Sequence, residues 1–288
     1  MKPFIKYRGG KSSEIQHFTN YIPKEFDTYI EPFVGGGAVY FFLEHEKNMI
    51  NDINPKLMSL YKEIKDCYPE LRRQLNLLED IYRKNQAEYE SKKQSAMEEE
   101  YIENKNEELF YQLRRVFNDP DGEWLEGVIY YFINKTAYSG MIRYNKKGEY
   151  NVPFGRYKNF NTKRITDAHY KLLQNTLLFN TDYSQLFQMA NKEDFMFLDP
   201  PYDCTFNDYG NLQFENGFDE QEQLRLAEEF KKLECKALMV IAKTDLTNNL
   251  YKDYILTEYD KNYAVNIRNR FKNSAKHLII TNYDVKKR

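Results

Sequence analysis

Tyr29-Ile30-Glu31-Pro32-Phe33-Val34-Gly35-Gly36-Gly37-Ala38 reads as a short β-strand, a tight glycine turn and the start of a helix. Aromatic and β-branched residues favour an extended chain, and the run from Ala38 to Glu46 has helical character. Glycines let a backbone approach a ligand closely, and a helix start offers free N–H groups. The turn fails the G-x-G-x-x-G dinucleotide pattern, because Tyr40 stands where the last glycine belongs. Gly9-Gly10-Lys11-Ser12 imitates the end of a phosphate-binding P-loop, but Ile5 occupies the place of its first glycine. Both failures count against nicotinamide and nucleoside-triphosphate chemistry.

On either side of this stretch the same alternation continues. Asp27–Glu31, Asn48–Asp52, Leu177–Asp182, Phe195–Asp199, Ala237–Lys243 and Leu278–Tyr283 are short apolar runs that end in polar or acidic residues. Helical patterns at Ala38–Glu46, Pro55–Asp66, Thr166–Asn175 and Glu220–Leu233 lie between many of them. Strands alternating with helices predict an α/β fold: an open, largely parallel sheet with helices on both faces. Ligands of such sheets bind beyond the carboxyl ends of the strands, where Glu31, Asp52, Asp182 and Asp199 would sit. The middle of the chain differs. From about Pro55 to Asn134 it is polar and poor in glycine, which predicts several helices, with Lys84–Glu108 as an exposed helical hairpin. Tyr144 to Val152 then gives two strand-like pieces around a Lys146-Lys147-Gly148 turn, a β-hairpin signal. This predicts a discontinuous α/β domain, 1–55 with 165–288, into which 56–164 is inserted.

The chain has 288 residues, enough for that arrangement. No apolar run approaches the roughly 20 residues that span a bilayer, and Met1 to Lys6 does not resemble a signal peptide, so a cytoplasmic location is expected. Cys67, Cys204 and Cys235 are odd in number and far apart, as are His17, His45, His169 and His277, so neither a disulfide framework nor a metal is expected. A formal net charge of -2 argues against a polyanionic partner until its distribution is read. Lys135, Arg143, Lys146, Lys147, Arg156, Lys158, Lys163 and Arg164 stand against Glu149 alone between 135 and 164. Arg268, Arg270, Lys272, Lys276, Lys286, Lys287 and Arg288 enrich the tail, while acid concentrates at Glu98-Glu99-Glu100, Glu103, Glu107 and Glu108. Local patches govern where a polyanion docks, although such runs also serve as plain solvated faces.

Phe195-Met196-Phe197-Leu198-Asp199-Pro200-Pro201-Tyr202 is the richest segment chemically. An amine conjugated with an aromatic ring is a poor nucleophile. A carboxylate (Asp199) and a backbone carbonyl (Pro200) can each accept one of its N–H groups and turn the lone pair toward an electrophile. Two prolines have fixed φ and hold that carbonyl rigidly. Tyr202 supplies a face on which a base can stack. An ordinary strand-end turn is the competing reading. Asn51-Asp52-Ile53-Asn54 follows the second strand, where an acid suits hydrogen bonding to ribose hydroxyls. A helix N-cap ahead of Pro55, by Asn54, is the competing reading.

Taken in order, Lys6-Tyr7-Arg8-Gly9-Gly10-Lys11, Glu31-Pro32-Phe33-Val34-Gly35-Gly36-Gly37, Asn51-Asp52-Ile53-Asn54 and Asp199-Pro200-Pro201-Tyr202 resemble the motifs of Dam-type (D12 class) DNA adenine-N6 methyltransferases. Asn134 to Asn145, continued by Gly148 to Tyr157, is similar to that family's target-recognition hairpin, and Asp182-Tyr183 to its pair for the cofactor adenine. The resemblance spans almost the whole chain, with the acidic helical stretch its least familiar part.

It implies a Rossmann-like S-adenosylmethionine-dependent methyltransferase sheet with an inserted helical and β-hairpin DNA-recognition subdomain. Methyl would pass from S-adenosylmethionine to N6 of an adenine flipped out of double-stranded DNA, in one displacement without a covalent intermediate. Tyr7, Lys11, Glu31, Phe33, Gly35, Asp52, Asp182, Tyr183 and Asp199 would bind the cofactor. Asp199, Pro200, Pro201 and Tyr202 would form the catalytic tetrapeptide. Lys6, Tyr138, Ser139, Met141, Arg143, Pro153, Arg156 and Tyr157 would meet DNA, Arg143 by reading a guanine edge. A GATC-like site, and a companion restriction endonuclease, are expectations of the same kind. Ser139 stands where the family often has Asn, Met141 where it often has Leu, and Tyr7 where it often has Trp. Asp203-Cys204-Thr205-Phe206 is a further departure. The rivals are a methyltransferase of the same fold acting on RNA or a protein glutamine, for which the basic hairpin has no evident use in the glutamine case, and a DNA-binding module without activity.

Overall fold

Strands and helices alternate along the computed structural model, which describes residues 1–7, 9–97, 102–202, 218–261 and 275–285. First come α1 (Ile15–Phe18), β1 (Tyr29–Glu31), α2 (Ala38–Leu43) and β2 (Asn48–Asn51). Four helices follow: α3 (Pro55–Asp66), α4 (Tyr68–Ser95), α5 (Lys105–Asn118) and α6 (Glu126–Thr136). Then come α7 (Asp167–Gln174), β3 (Thr176–Phe179), α8 (Ser184–Met189) and β4 (Phe195–Leu198). The last section holds α9 (Glu220–Lys231), β5 (Lys236–Ala242), α10 (Asp245–Leu250), β6 (Ile255–Lys261) and β7 (Ala275–Thr281).

Among the described residues, packing divides the chain into a helical unit, Met1–Gly10 with Asn54–Leu178, and a sheet unit, Lys11–Ile53 with the chain from Phe179 onward. The first ten residues thus group with the helices, and the second division falls inside β3.

The strand order is β3-β2-β1-β4-β5-β7-β6. β1 runs parallel to β2 and β4, and β4 parallel to β5. β7 is antiparallel to both β5 and β6. The mixed α/β fold is therefore as expected, with an antiparallel pair added at one edge. Strand order reverses between β1 and β4, and open α/β sheets bind ligands beyond the carboxyl ends at such a point. Those two ends carry Glu31 and Asp199. β4 is buried along its whole length and β5 from Ala237 to Ile241, as strands covered on both faces must be. Leu226, Ala227 and Phe230 of α9 pack with Ile30, Met196, Leu198, Met239 and Ile241 in this core.

In the helical unit, α3 buries Leu57, Leu60, Tyr61 and Ile64, one stripe at helical spacing. Asn54 caps it, its Oδ1 accepting from the Leu57 N–H at 3.2 Å with Pro55 in the first turn. α6 is buried from Gly127 to Asn134. α4 and α5 form the expected helical hairpin, tied by the Lys105–Glu88 ion pair (2.7 Å) and by Asn106 Nδ2 donating to the Tyr82 carbonyl (3.0 Å). Glu98, Glu99 and Glu100 lie outside the described residues, as do Arg8, Asp203 to Phe206 and all of the basic tail except Lys276.

Candidate active site and recognition hairpin

The glycine turn after β1 is held from within the sheet unit. Gly35 and Gly37 take φ of 47° and 69°, left-handed values that favour glycine. The Gly35 N–H donates to Asp52 Oδ2 at 3.0 Å, so the acid that ends β2 shapes the turn. Asn51 ties neighbouring strand ends together. Its Nδ2 donates to the carbonyls of Pro32 and Thr181, and its Oδ1 accepts from the Thr181 N–H, all at 2.9–3.0 Å.

The period of two along β1 puts Tyr29 and Glu31 on one face, and the Tyr29 hydroxyl donates to Glu31 Oε2 at 2.7 Å. Glu31 is 2 % exposed. Burial pushes its carboxyl up to about 8, the Tyr29 hydroxyl pulling the other way and the nearby Asp199 charge adding to the rise. Glu31 is thus a neutral acid at pH 7.

Asp199 is different. Lys11, only 2 % exposed, places Nζ 2.5 Å from Asp199 Oδ1 and 2.7 Å from the Tyr202 hydroxyl. Burial raises the Asp199 carboxyl above its ordinary value, and the Lys11 ammonium opposes that rise. The Asp199 side chain keeps 20 % of its surface exposed. One buried cation therefore fixes both the acid and the aromatic ring of the tetrapeptide. Behind them, the buried Gln223 of α9 donates from Nε2 to the Pro201 carbonyl at 3.0 Å.

Phe33 and Tyr183 approach with ring centroids 5.1 Å apart, and Phe218 meets Phe33 edge-on at 6.2 Å. Asp182 Oδ1 accepts from the Ser184 N–H (2.9 Å) and Oδ2 from Arg225 (2.7 Å). Burial pushes the Asp182 carboxyl up, but Arg225 and Ser184 outweigh it and the net shift is downward. The Arg225 guanidinium also lies 4.6 Å over the Tyr183 ring.

In the helical unit, the hairpin predicted between Tyr144 and Val152 forms through single bridges, Tyr144 to Tyr150 and Ala137 to Phe154. Asn145 Oδ1 caps the turn by accepting from the N–H groups of Lys147 and Glu149, and Gly148 takes φ 77°. Tyr138 and Met141 are 58 % and 38 % exposed, and Ser139 between them is left-handed at φ 55°. Arg143 Nε donates to Asn151 Oδ1 (2.9 Å), which orients its guanidinium. Pro153 accepts from the Tyr138 N–H at 2.9 Å. The Lys6 ammonium lies 5.5 Å from the Tyr157 ring centroid, and the Lys6 backbone is gripped from both sides by the Asn134 amide (3.1 and 2.7 Å). Arg156 is left-handed (φ 53°) and approaches Glu107 only loosely, at 3.9 Å.

A comparison with protein families matches residues 7–265 to the D12 class N6 adenine-specific DNA methyltransferases. The chain belongs to that family. It is 35 % identical to the Type II methyltransferase M.CviBI of Paramecium bursaria Chlorella virus NC1A, over 98 % of this chain and 100 % of that one. It is 32 % identical to the Type II methyltransferase M.MjaIII of Methanocaldococcus jannaschii, over 98 % and 99 %. A DNA adenine methylase of Salmonella typhi is 30 % identical over 87 % of this chain and 84 % of its own. As a D12-class enzyme this is a DNA adenine methyltransferase, and the family implies S-adenosylmethionine as methyl donor. Among the described residues no helix is long and apolar enough to cross a membrane.

This D12-class methyltransferase brings Lys11, Glu31, Phe33, Gly35, Asp52, Asp182, Tyr183 and the tetrapeptide into its sheet unit. Tyr7 falls in the helical unit with all eight residues expected at DNA, and its carbonyl accepts from the Gly10 N–H at 3.1 Å. Sequence reasoning missed Asn51 as a staple, Gln223 and Arg225 on α9, and Asn134 beneath Lys6. Asn51 and Asn134 stand within the family motifs, and their polarity at strand or helix ends was an available signal. Gln223 and Arg225 sit in an ordinary amphipathic pattern that gave none.

Proposed function

We propose that the carboxyl ends of β1, β2 and β4 hold S-adenosylmethionine and the target adenine, and that the hairpin of the helical unit reads the DNA. The observation that carries this is the Lys11 ammonium joined to both Asp199 and Tyr202. A neutralised carboxylate accepts hydrogen bonds without competing to remove a proton from the incoming amine. Asp199 and the Pro200 carbonyl then accept the two N6 hydrogens, and Tyr202, held at its hydroxyl, offers its face to the base. S-adenosylmethionine, when bound, supplies a sulfonium methyl group to the amine's lone pair. The chain's residues fit that cofactor: a turn with two left-handed glycines allows close backbone approach, and Phe33 with Tyr183 provides apolar walls. Asp52 suits the ribose and Asp182 the cofactor adenine, and Glu31, neutral and enclosed beside Tyr29, is offered as a further cofactor contact at the end of β1.

In the helical unit, Arg143 is offered as the base reader, Tyr138, Ser139 and Met141 as contacts at the stacked bases, and Lys6, Pro153, Arg156 and Tyr157 as further DNA contacts. The proposed working parts are the discontinuous 1–55/165–288 catalytic domain and the 56–164 recognition insertion, with the first ten residues, Lys6 among them, packing with the insertion. A GATC-like target, and a companion restriction endonuclease, extend the same reading. Long-read sequencing of DNA from a methylation-free strain expressing the protein tests the target.

Asp199→Ala tests the site itself. Loss of one pre-aligned acceptor should lower methyl transfer on the order of 10²–10³-fold while DNA affinity holds. A variant keeping more than about a tenth of the wild-type rate would remove Asp199 from its assigned role, since that is below even the smallest such loss.

A further inference from the structure

Tyr202 is bonded at its hydroxyl by Lys11, and the angle of its ring is set by what packs beside it. The side of that ring meets His277 of β7, centroids 5.2 Å apart at 66°. His277 has no exposed surface, an unusual place for an imidazole unless it is bonded. Its Nδ1 lies 2.7 Å from Glu14 Oε2. Glu14, itself 3 % exposed, also accepts from the Tyr259 hydroxyl (2.6 Å) and from Lys261 of β6. Burial pushes the Glu14 carboxyl up, but its bonds to His277, Lys261 and Tyr259 bring it down to about 2, so it is ionised. A buried carboxylate with three donors is costly to assemble and demands a fixed geometry.

What that geometry fixes is visible one turn back. Glu14 donates its backbone N–H to the Lys11 carbonyl at 2.7 Å, within the short 3₁₀ turn Lys11–Ser13 and its exit. A single turn therefore presents Lys11 to Asp199 and Tyr202, and Glu14 to the strand pair behind them. We propose that Glu14 and His277 are positioning residues of the methyl-transfer site: Glu14 locks the Lys11 turn onto β6 and β7, and His277 fixes the angle of the Tyr202 ring. This rests on the assignment of Tyr202 to the target base.

The test uses His277→Asn, His277→Phe and Glu14→Gln in the full chain. Asn can keep the bond to Glu14 and loses the ring, Phe keeps the ring and loses the bond, and Gln removes the charge at constant shape. Each is measured for single-turnover methyl transfer, DNA affinity, thermal midpoint, and fluorescence of duplex DNA with 2-aminopurine at the target base. The transfer rate should fall on the order of 10- to 100-fold, as expected for small misplacement of a reacting group, with DNA affinity within about twofold. The 2-aminopurine signal should change with it. Pairing the His277 variants with Tyr202→Ala, and Glu14→Gln with Lys11→Ala, separates two kinds of failure. If Tyr202→Ala alone leaves the rate intact, the base assignment is wrong. If Tyr202→Ala lowers the rate and the His277 variants lower it further by their full factor, or if Glu14→Gln keeps its full effect once Lys11→Ala is also present, those residues act elsewhere and the proposal is overturned. Loss of the second effect, for His277 in the Tyr202→Ala background and for Glu14 in the Lys11→Ala background, supports it. Should His277→Phe fail to fold, Glu14→Gln and His277→Asn decide between the same outcomes.

Discussion

Two carboxyl groups close the adjacent strands β1 and β4; burial raises both, but their partners differ. Asp199 receives an ammonium, whereas Glu31 receives a neutral hydroxyl and stays protonated. Because burial raises the Glu31 carboxyl to about 8 in the fold, from an ordinary 4.5, folding binds a proton between those values. Stability from this group is fully present below about 4.5 and is lost as pH rises toward 8, at about 1.4 kcal/mol per unit. Glu31→Gln removes the titration and can still accept from Tyr29. Urea unfolding of both proteins should therefore show the variant gaining on the wild type by roughly 2–3 kcal/mol from pH 6 to 8, then no further. Parallel profiles across that range would mean that Glu31 ionises in the fold. The residue types at both strand ends were readable in the sequence. Their partners were not: Lys11 and Asp199 are 188 positions apart, and no local pattern encodes that pairing.

At the scale of elements, periodicity served well where an element buries one face or both. β4 and β5 are continuous apolar runs, and α3 and α9 carry regular stripes. β6 escaped because Ile255 to Lys261 is half-exposed along its length at the sheet edge and carries Glu258, Asp260 and Lys261. α8 and α10, six residues each, are too short to show a period. Packing between elements is less legible still, as Gly127 shows. A Cβ there would lie 2.5 Å from Leu60 Cα and 2.5 Å from Glu63 Oε2, so α6 meets α3 where only glycine fits. Its N–H also donates to that Glu63 carboxylate at 2.9 Å. Alanine would gain up to about 1 kcal/mol in helix propensity. It would also force a backbone apart, an overpacking cost of about 1–3 kcal/mol or more. The clash with backbone should win, lowering stability by about 2 kcal/mol net once the bond to Glu63 is strained as well. Gly127→Ala measured by denaturant unfolding checks this, and a stabilised variant would show that α3 and α6 can separate freely.

Over the whole molecule the charge sums to -2, yet the function requires a polyanion to dock. Screening resolves this, because charges more than about 8 Å apart in water at physiological salt act nearly independently. Under the proposed function DNA therefore responds to the local patch on the helical unit. Part of that patch is already engaged, since Lys158 pairs with Glu90 at 3.0 Å. Lys146 and Lys147, exposed on the hairpin turn, are better placed to meet phosphates. Lys146→Ala should weaken binding alike on every DNA sequence and reduce the slope of log affinity against log salt by about one unit. Glu228 lies exposed on α9 of the sheet unit, where no DNA contact is assigned. Adding Glu228→Gln to Lys146→Ala restores the wild-type net charge without restoring the local one. If docking is governed by the patch, the double variant should bind as weakly as Lys146→Ala alone, with the same reduced slope. If net charge governs, it should recover the wild-type affinity, and the division between a reading hairpin and a catalytic sheet would lose its electrostatic basis. Equilibrium binding to cognate and non-cognate duplexes between about 50 and 200 mM salt, a range over which several phosphate contacts change affinity by orders of magnitude, separates the two.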